Sequence, residues 1–229
     1  MFNSSYLIFM LPAFIIMMVA QWYVNSAYNK WSKVPSQSGL TGAEVARRLI
    51  ERGGLHGVSI EQVQNRLGDH YDPREKVLRL SPGVAQSTSV AALAIAAHEL
   101  GHAMQDSQDY FPLRLRAALV PAVNIGSYLG WILLMIGFFL NMTGLAWLGV
   151  FVFAGGAVFA LATLPVEFNA STRARALLTN AGIITNPQEQ GGVNHVLNAA
   201  TMTYVAALIT AVLQLLYYAS LVLGMGRRR

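Results

Sequence analysis

The chain has 229 residues, 54% of them hydrophobic and only 12% charged, against about 25% charged in soluble domains; this excludes an ordinary soluble domain and a disordered chain, and points to an integral membrane protein. The absence of cysteine excludes disulfides, thiolate metal sites, iron–sulfur clusters and a cysteine nucleophile. The net charge of +5 is no nucleic-acid signature, because the basic residues collect at Arg227–Arg229 and in one long loop, with no aromatic-interleaved basic stripe.

Residues 1–29 hold no Asp, Glu, Lys, Arg or His. A membrane helix needs roughly 20 apolar residues, so one span is expected at Tyr6–Val24. Its start carries no positive charge and no small-residue cleavage site follows, so it reads as an anchor rather than a signal peptide. Residues 25–116 are the segment long enough for a soluble module. Thr41-Gly42-Ala43-Glu44 fits a capping box. The helix it opens runs through Val45, Leu49 and Ile50 and ends at Gly53-Gly54. Val58–Val63 reads as a short strand and Lys76–Leu80 as a half-buried one, with Asp72-Pro73 as a turn signal between them. Ser87–Ser89 precedes a second helix, Val90 to about Asp106. Residues 117–166 again lack Asp, Glu, Lys, Arg and His. That gap is too long for one span, and the polar Asn141-Met142-Thr143-Gly144 divides it into a hairpin, Val123–Leu140 and Leu145–Leu164. Residues 167–202 form a further helix and loop, and Thr203–Leu223 is the last span, followed by the basic tail. Trp131, Trp147, Tyr217 and Tyr218 read as lipid-facing or interfacial bulk.

The expected fold is therefore a mainly α membrane protein. Four transmembrane helices accompany a small α+β module containing a short β-hairpin, with divisions at 1–24, 25–116, 117–166, 167–202 and 203–229. Four spans put both termini on one side and the loops 25–122 and 165–202 on the other. Lys30, Lys33, Arg114, Arg116, Arg173 and Arg175 flank the loop side, which places the loops in the cytoplasm by the positive-inside rule, although Arg227–Arg229 oppose this.

His98-Glu99-Leu100-Gly101-His102 is H-E-x-x-H. On a helix the two histidines share a face and can present ring nitrogens to one zinc ion, with Glu99 beside them as the general base for a water. Gly101 either removes bulk near the metal or allows close helix packing. A catalytic zinc needs a third protein ligand. Downstream of Asp109 the acidic residues are Glu167 and Glu189, and the one histidine is His195. Glu167 follows Leu164-Pro165-Val166 at the end of a span, where a carboxylate is costly unless paired, metal-bound or wet. Metal coordination would account for its placement; pairing with Arg173 or solvation by interfacial water is the alternative. Glu189 reads as a solvated loop residue and His195 as a weaker rival ligand. His70 and Tyr71, within Asp69-His70-Tyr71-Asp72, are candidates for substrate binding or oxyanion stabilisation, with a polar turn as the plainer alternative. Tyr204 is a further oxyanion candidate, with membrane packing the plainer reading. His56 reads as a surface loop residue. The Lys76–Leu80 strand is as plausibly structural as it is a partner for an extended substrate by strand addition.

These stretches, Ala96-Ala97-His98-Glu99-Leu100-Gly101-His102-Ala103-Met104-Gln105, Asp69-His70-Tyr71-Asp72-Pro73-Arg74 and Pro165-Val166-Glu167-Phe168, resemble the YugP-type membrane-bound neutral zinc metallopeptidases, in the family's order and over nearly the whole chain. The resemblance implies a gluzincin-like site in which His98, His102 and Glu167 bind one zinc ion and Glu99 is the base. It also implies a more distant similarity to the HtpX and CAAX-processing membrane proteases. Two positions depart from the pattern. Asn169 stands where the family usually has Asp, and Ser171 stands where the HtpX-like relatives have one. The expected function is a zinc-dependent membrane endopeptidase acting on unfolded or membrane-proximal polypeptide at the cytoplasmic face of a bacterial cell membrane. Its partners are that substrate and the lipid bilayer, with no nucleic acid. The alternatives are a zinc-binding pseudo-protease serving as scaffold or chaperone, which Asn169 motivates, and a transporter or assembly subunit with an incidental histidine pair.

Overall fold

The computed structural model describes residues 4–64 and 68–226; the Arg227–Arg229 tail lies outside the described residues. Among the described residues, four helical stretches are long and apolar enough to cross a membrane: Tyr6–Trp31, Phe111–Phe139, Thr143–Asn180 and Pro187–Met225. They fall where the charge-free gaps place them but run well past the expected limits. The gap in charge marks only the lipid-compatible length, whereas backbone hydrogen bonding carries each helix on into the polar part. The last helix, 40 residues from Pro187 to Gly226, is about 60 Å long at 1.5 Å per residue, roughly twice the thickness of a bilayer's hydrocarbon core. The elements in chain order are α1 (Ser4–Trp31), α2 (Gly42–Arg52), β1 (Ser59–Gln62), β2 (His70–Asp72), β3 (Val77–Leu80), α3 (Pro82–Ala85), α4 (Val90–Ser107), α5 (Phe111–Phe139), α6 (Thr143–Phe153), α7 (Gly155–Asn180) and α8 (Pro187–Gly226).

The chain divides into two compact units, and α1, α5, α7 and α8 each contribute to both. One comprises the N-terminal part through Gln21, Arg114–Leu164 and the stretch from Thr203 onward. Within it α5 and α6 approach through small residues. A methyl group on Gly137 would lie 2.5 Å from the Ala146 nitrogen, and one on Gly149 would lie 2.6 Å from the Leu134 nitrogen. Such contacts let helix backbones pack closely where lipid offers no hydrophobic drive for association. Many of this unit's large apolar side chains are exposed, among them Phe14, Ile125, Tyr128, Phe139 and Phe151, as a lipid-facing surface requires.

The other unit comprises Trp22–Leu113 and Pro165–Met202. The capping box is formed. The Thr41 hydroxyl accepts from the Glu44 N–H, and the Glu44 side chain accepts from the Thr41 N–H. The helix it starts, α2, buries Val45, Ala46, Leu49 and Ile50. Ser89 caps α4 through the Ala92 N–H. The alanine-rich first half of α4 is buried from Val90 to Ala97 apart from the half-buried Ile95, and α4 continues to Ser107, within a residue of its expected end. The sheet departs from the simple expectation. It has three strands in the order β1-β3-β2. β1 runs parallel to β3, with Ser59 opposite Val77, whereas β2 pairs antiparallel with β3, with Tyr71 opposite Leu78. The hairpin is therefore β2–β3, and residues 70–72, read from sequence as a polar turn, form a strand. The tight turn is made at Pro73–Lys76, where Lys76 takes a positive φ of 54°. With β2 on one side of β3, β1 pairs along the other. Val77, Leu78 and Leu80 are buried on this central strand, so Lys76–Leu80 has both edges filled and offers no free edge for strand addition.

Candidate metal centre

The centre is built where α4 meets α7. A methyl group at Gly101 would run into the Ala170 carbonyl. The glycine in the middle of H-E-x-x-H thus serves close helix packing, the second of its two expected roles. That contact brings Glu167, one turn earlier on α7, up to the two histidines. The His98 Nε2 lies 3.3 Å and the His102 Nε2 3.6 Å from the same oxygen, Glu167 Oε2. One ligand atom from each of the three residues lies within 4.8 Å of the other two. The imidazoles stand nearly perpendicular, 4.9 Å apart between ring centres. The Glu167 side chain is 1% exposed and the histidines 13% and 14%.

A carboxylate that deeply buried needs compensation. Here it faces two imidazole Nε2 atoms. Two nitrogens and one carboxylate oxygen form a donor set suited to zinc, which takes such ligands at about 2.0–2.2 Å and leaves a position open in catalytic sites. The residues therefore fit the ion. Burial alone would lower the His102 pKa, but the Glu167 and Glu99 carboxylates outweigh it and hold the pKa above the ordinary histidine value.

Glu99, beside His98 on the same helix, accepts a hydrogen bond from the Tyr71 backbone N–H at 3.1 Å. The edge strand β2 thus turns a main-chain donor toward the general-base candidate. The Tyr71 phenol donates to Asp106 at 2.8 Å, and burial together with that carboxylate pushes its pKa well up, so it stays a neutral donor. His70 is exposed, with its Nδ1 2.6 Å from the Gly68 carbonyl. Tyr204 lies on α8 in the other unit. The structure accordingly brings His98, His102, Glu167, Glu99 and the Tyr71 backbone together.

The two rival ligands are engaged elsewhere. Glu189, expected in solvent, is buried, where it accepts from the Gln37 N–H at 2.6 Å and the Ser36 hydroxyl at 3.4 Å. His195 accepts from the Trp31 indole N–H at 3.1 Å and lies against Tyr23. His56 is on the surface. Behind the histidines stand Gln105, which no motif singles out, and the two departing positions, Ser171 and Asn169. Gln105, fully buried, faces His102 Nδ1 at 3.0 Å. Ser171, which departs from the resembled pattern, faces His98 Nδ1 at 3.3 Å. Asn169, the other departure, accepts from Gln105 at 3.0 Å and from Arg173 at 2.6 Å. For Gln105 a signal was present: a polar residue three positions after His102 on a helix whose other inward positions are apolar.

Residues 6–223 match the family described as "putative neutral zinc metallopeptidase". The chain is also 43% identical over 205 residues to a Bacillus subtilis (strain 168) protein described as "putative membrane protease YugP", covering 90% of this chain and 91% of that one. No solved structure matches it.

Proposed function

The chain belongs to this family of neutral zinc metallopeptidases, and from that premise we propose that it is a zinc-dependent membrane endopeptidase whose metal ligands are His98, His102 and Glu167. The observation that carries the reading is the meeting of three donor atoms, from two helices distant in sequence, within 4.8 Å. An ion held there would polarise a peptide carbonyl and make water acidic enough to ionise near neutral pH. Glu99 then accepts the proton of the attacking water and returns it to the leaving amine, so that one peptide bond and one water give a carboxylic acid and an amine. Tyr71 contributes through its backbone. Its N–H holds one oxygen of Glu99, and β2 is the sheet edge beside α4, to which an extended polypeptide adds as a further strand. Substrates of this kind are unfolded or membrane-proximal segments. The site faces the cytoplasm in the orientation set by the basic residues flanking the loops.

The test is Glu99→Gln in the full chain. The variant should keep zinc at the wild-type stoichiometry while cleavage of an unfolded polypeptide such as reduced casein falls by about 10²–10⁴-fold. Unchanged cleavage would remove Glu99 from the mechanism. A wild type that holds zinc but never cleaves would favour the scaffold reading, and one that binds no zinc would sink the metal site.

A further inference from the structure

Beyond the ligands themselves, the hydrogen bonds behind both histidines run in a direction that can be deduced from chemistry, because each chain ends on a backbone carbonyl, which can only accept. Behind His102, the amide end of Gln105 that lies 2.8 Å from the Val166 carbonyl must be its NH₂ group. The same nitrogen donates to Asn169 Oδ1 at 3.0 Å. The other end is then the carbonyl oxygen Oε1, 3.0 Å from His102 Nδ1, so Nδ1 must carry the proton. Asn169 is fixed in turn, because its Oδ1 receives both Gln105 and the Arg173 guanidinium, and neither of those atoms can accept. Behind His98 the same logic runs through hydroxyls. The single hydrogen of Thr201 goes to the Leu197 carbonyl at 2.8 Å. Toward Ser171, 3.3 Å away, Thr201 can therefore only accept. Ser171 has a single hydrogen, so its two contacts form together only when it donates to Thr201 and accepts from His98 Nδ1, 3.3 Å away. His98 Nδ1 is again the protonated nitrogen. Gln105, Ser171 and Thr201 are all buried, at 0%, 1% and 3% exposure, so water has little access with which to reverse either chain.

Resting on the metal-site reading above, we propose that Gln105 and the Ser171–Thr201 pair are positioning residues. They fix Nδ1 of both imidazoles as the donor behind the ring and so leave Nε2 as the nitrogen that meets an ion on the Glu167 side. The support of this centre is built from an amide and two hydroxyls rather than from carboxylates, so it orients the rings without adding negative charge. Asn169 and Ser171, the two positions that depart from the resembled pattern, are both members of these relays.

The experiment uses the full chain in detergent, with zinc alone as the probe and chelator competition as the readout. Outer partners of metal-bound histidines typically contribute 10–100-fold to metal affinity. Gln105→Leu and Ser171→Ala should each weaken zinc binding by about that range. Thr201→Val should also weaken it, whereas Thr201→Ser, which keeps the hydroxyl, should restore wild-type affinity. A purely packing role for Thr201 predicts the opposite order, since valine preserves shape and serine does not. ¹⁵N spectra of histidine-labelled, zinc-loaded wild type need no variant. Both ligands should show a protonated Nδ1 and a coordinated Nε2. Coordination through Nδ1 by either ring, or wild-type zinc affinity in Gln105→Leu, overturns the proposal while leaving the metal site standing. Wild-type protein that binds no zinc fails the underlying reading instead.

Discussion

At the scale of single residues, what the sequence revealed depended on how local the signal is. His98, Glu99 and His102 are legible because their relation is a helical spacing of four, which any helix converts into a shared face. Glu167 is legible by scarcity: few acidic or histidine residues follow Asp109, and one of them stands at a span end. Glu189 looks solvated in the sequence because the donor that lets it be buried, the Gln37 N–H, lies more than 150 positions away. Gln105 and Ser171 were passed over as positioning groups for the same reason. Their roles arise only when α4, α7 and α8 converge, and the one local sign is the polar Gln105 among otherwise apolar inward positions of α4. The buried carboxylate leads to a direct prediction. Glu167→Ala removes both the proposed third ligand and the anion facing the two imidazoles, so zinc measured by mass spectrometry on the purified protein should fall below stoichiometry. Its loss of affinity should exceed the roughly 10–100-fold of the outer-partner variants. Retention of one zinc per chain by Glu167→Ala would show that the third ligand is another group.

At the scale of elements, the helices of the polar unit were legible to within a few residues, because capping chemistry is written locally at Thr41–Glu44 and Ser89. The sheet was not. A three-residue strand such as His70–Asp72 is too short to show alternation, and all three of its residues carry polar groups, so the stretch looks like a turn. Its register exists only through pairing with β3. Strand order follows from that pairing, and it leaves β1 and β2 at the edges and Lys76–Leu80 in the middle. The α4–α7 contact permits a test in which two effects of known size oppose each other. Gly101→Ala gains up to about 1 kcal/mol in helix propensity. It also drives a methyl group into the Ala170 carbonyl, and overpacking of this kind costs about 1–3 kcal/mol. The obstacle is backbone rather than the end of a flexible side chain, so the clash should win. Gly101→Ala is expected to lower the melting temperature and to weaken zinc binding together, because the same contact sets the reach of Glu167. A variant more stable than wild type would show that α7 can yield without loss.

At the scale of the whole molecule, composition alone indicated the membrane class, and the charge-free gaps marked the four apolar helical stretches now seen. What the gaps did not reveal is that these helices serve two units at once. Hydropathy marks where lipid is tolerated, not where hydrogen bonding stops, and the first part of α8 buries Val193, Val196, Leu197 and Ala199 in the polar unit's segment before the apolar stretch begins. That continuity constrains how sidedness is best tested. A reporter inserted near Gln190 would interrupt α8 beside the buried Glu189, so small probes are preferable. The chain has no cysteine, and a single introduced thiol therefore reports one position. Glu51 and Met142 are both exposed. Glu51 belongs to the loop that the flanking lysines and arginines place inside, and Met142 to the short turn between α5 and α6, one span away. If the positive-inside assignment holds, a membrane-impermeant maleimide applied to intact cells should label Met142→Cys and spare Glu51→Cys until the cells are opened. The reverse pattern would put Glu99 and its histidines outside the cytoplasm and shift the substrate pool to exported chains. The geometry of hydrolysis would be untouched, because every residue assigned to that chemistry lies within one unit.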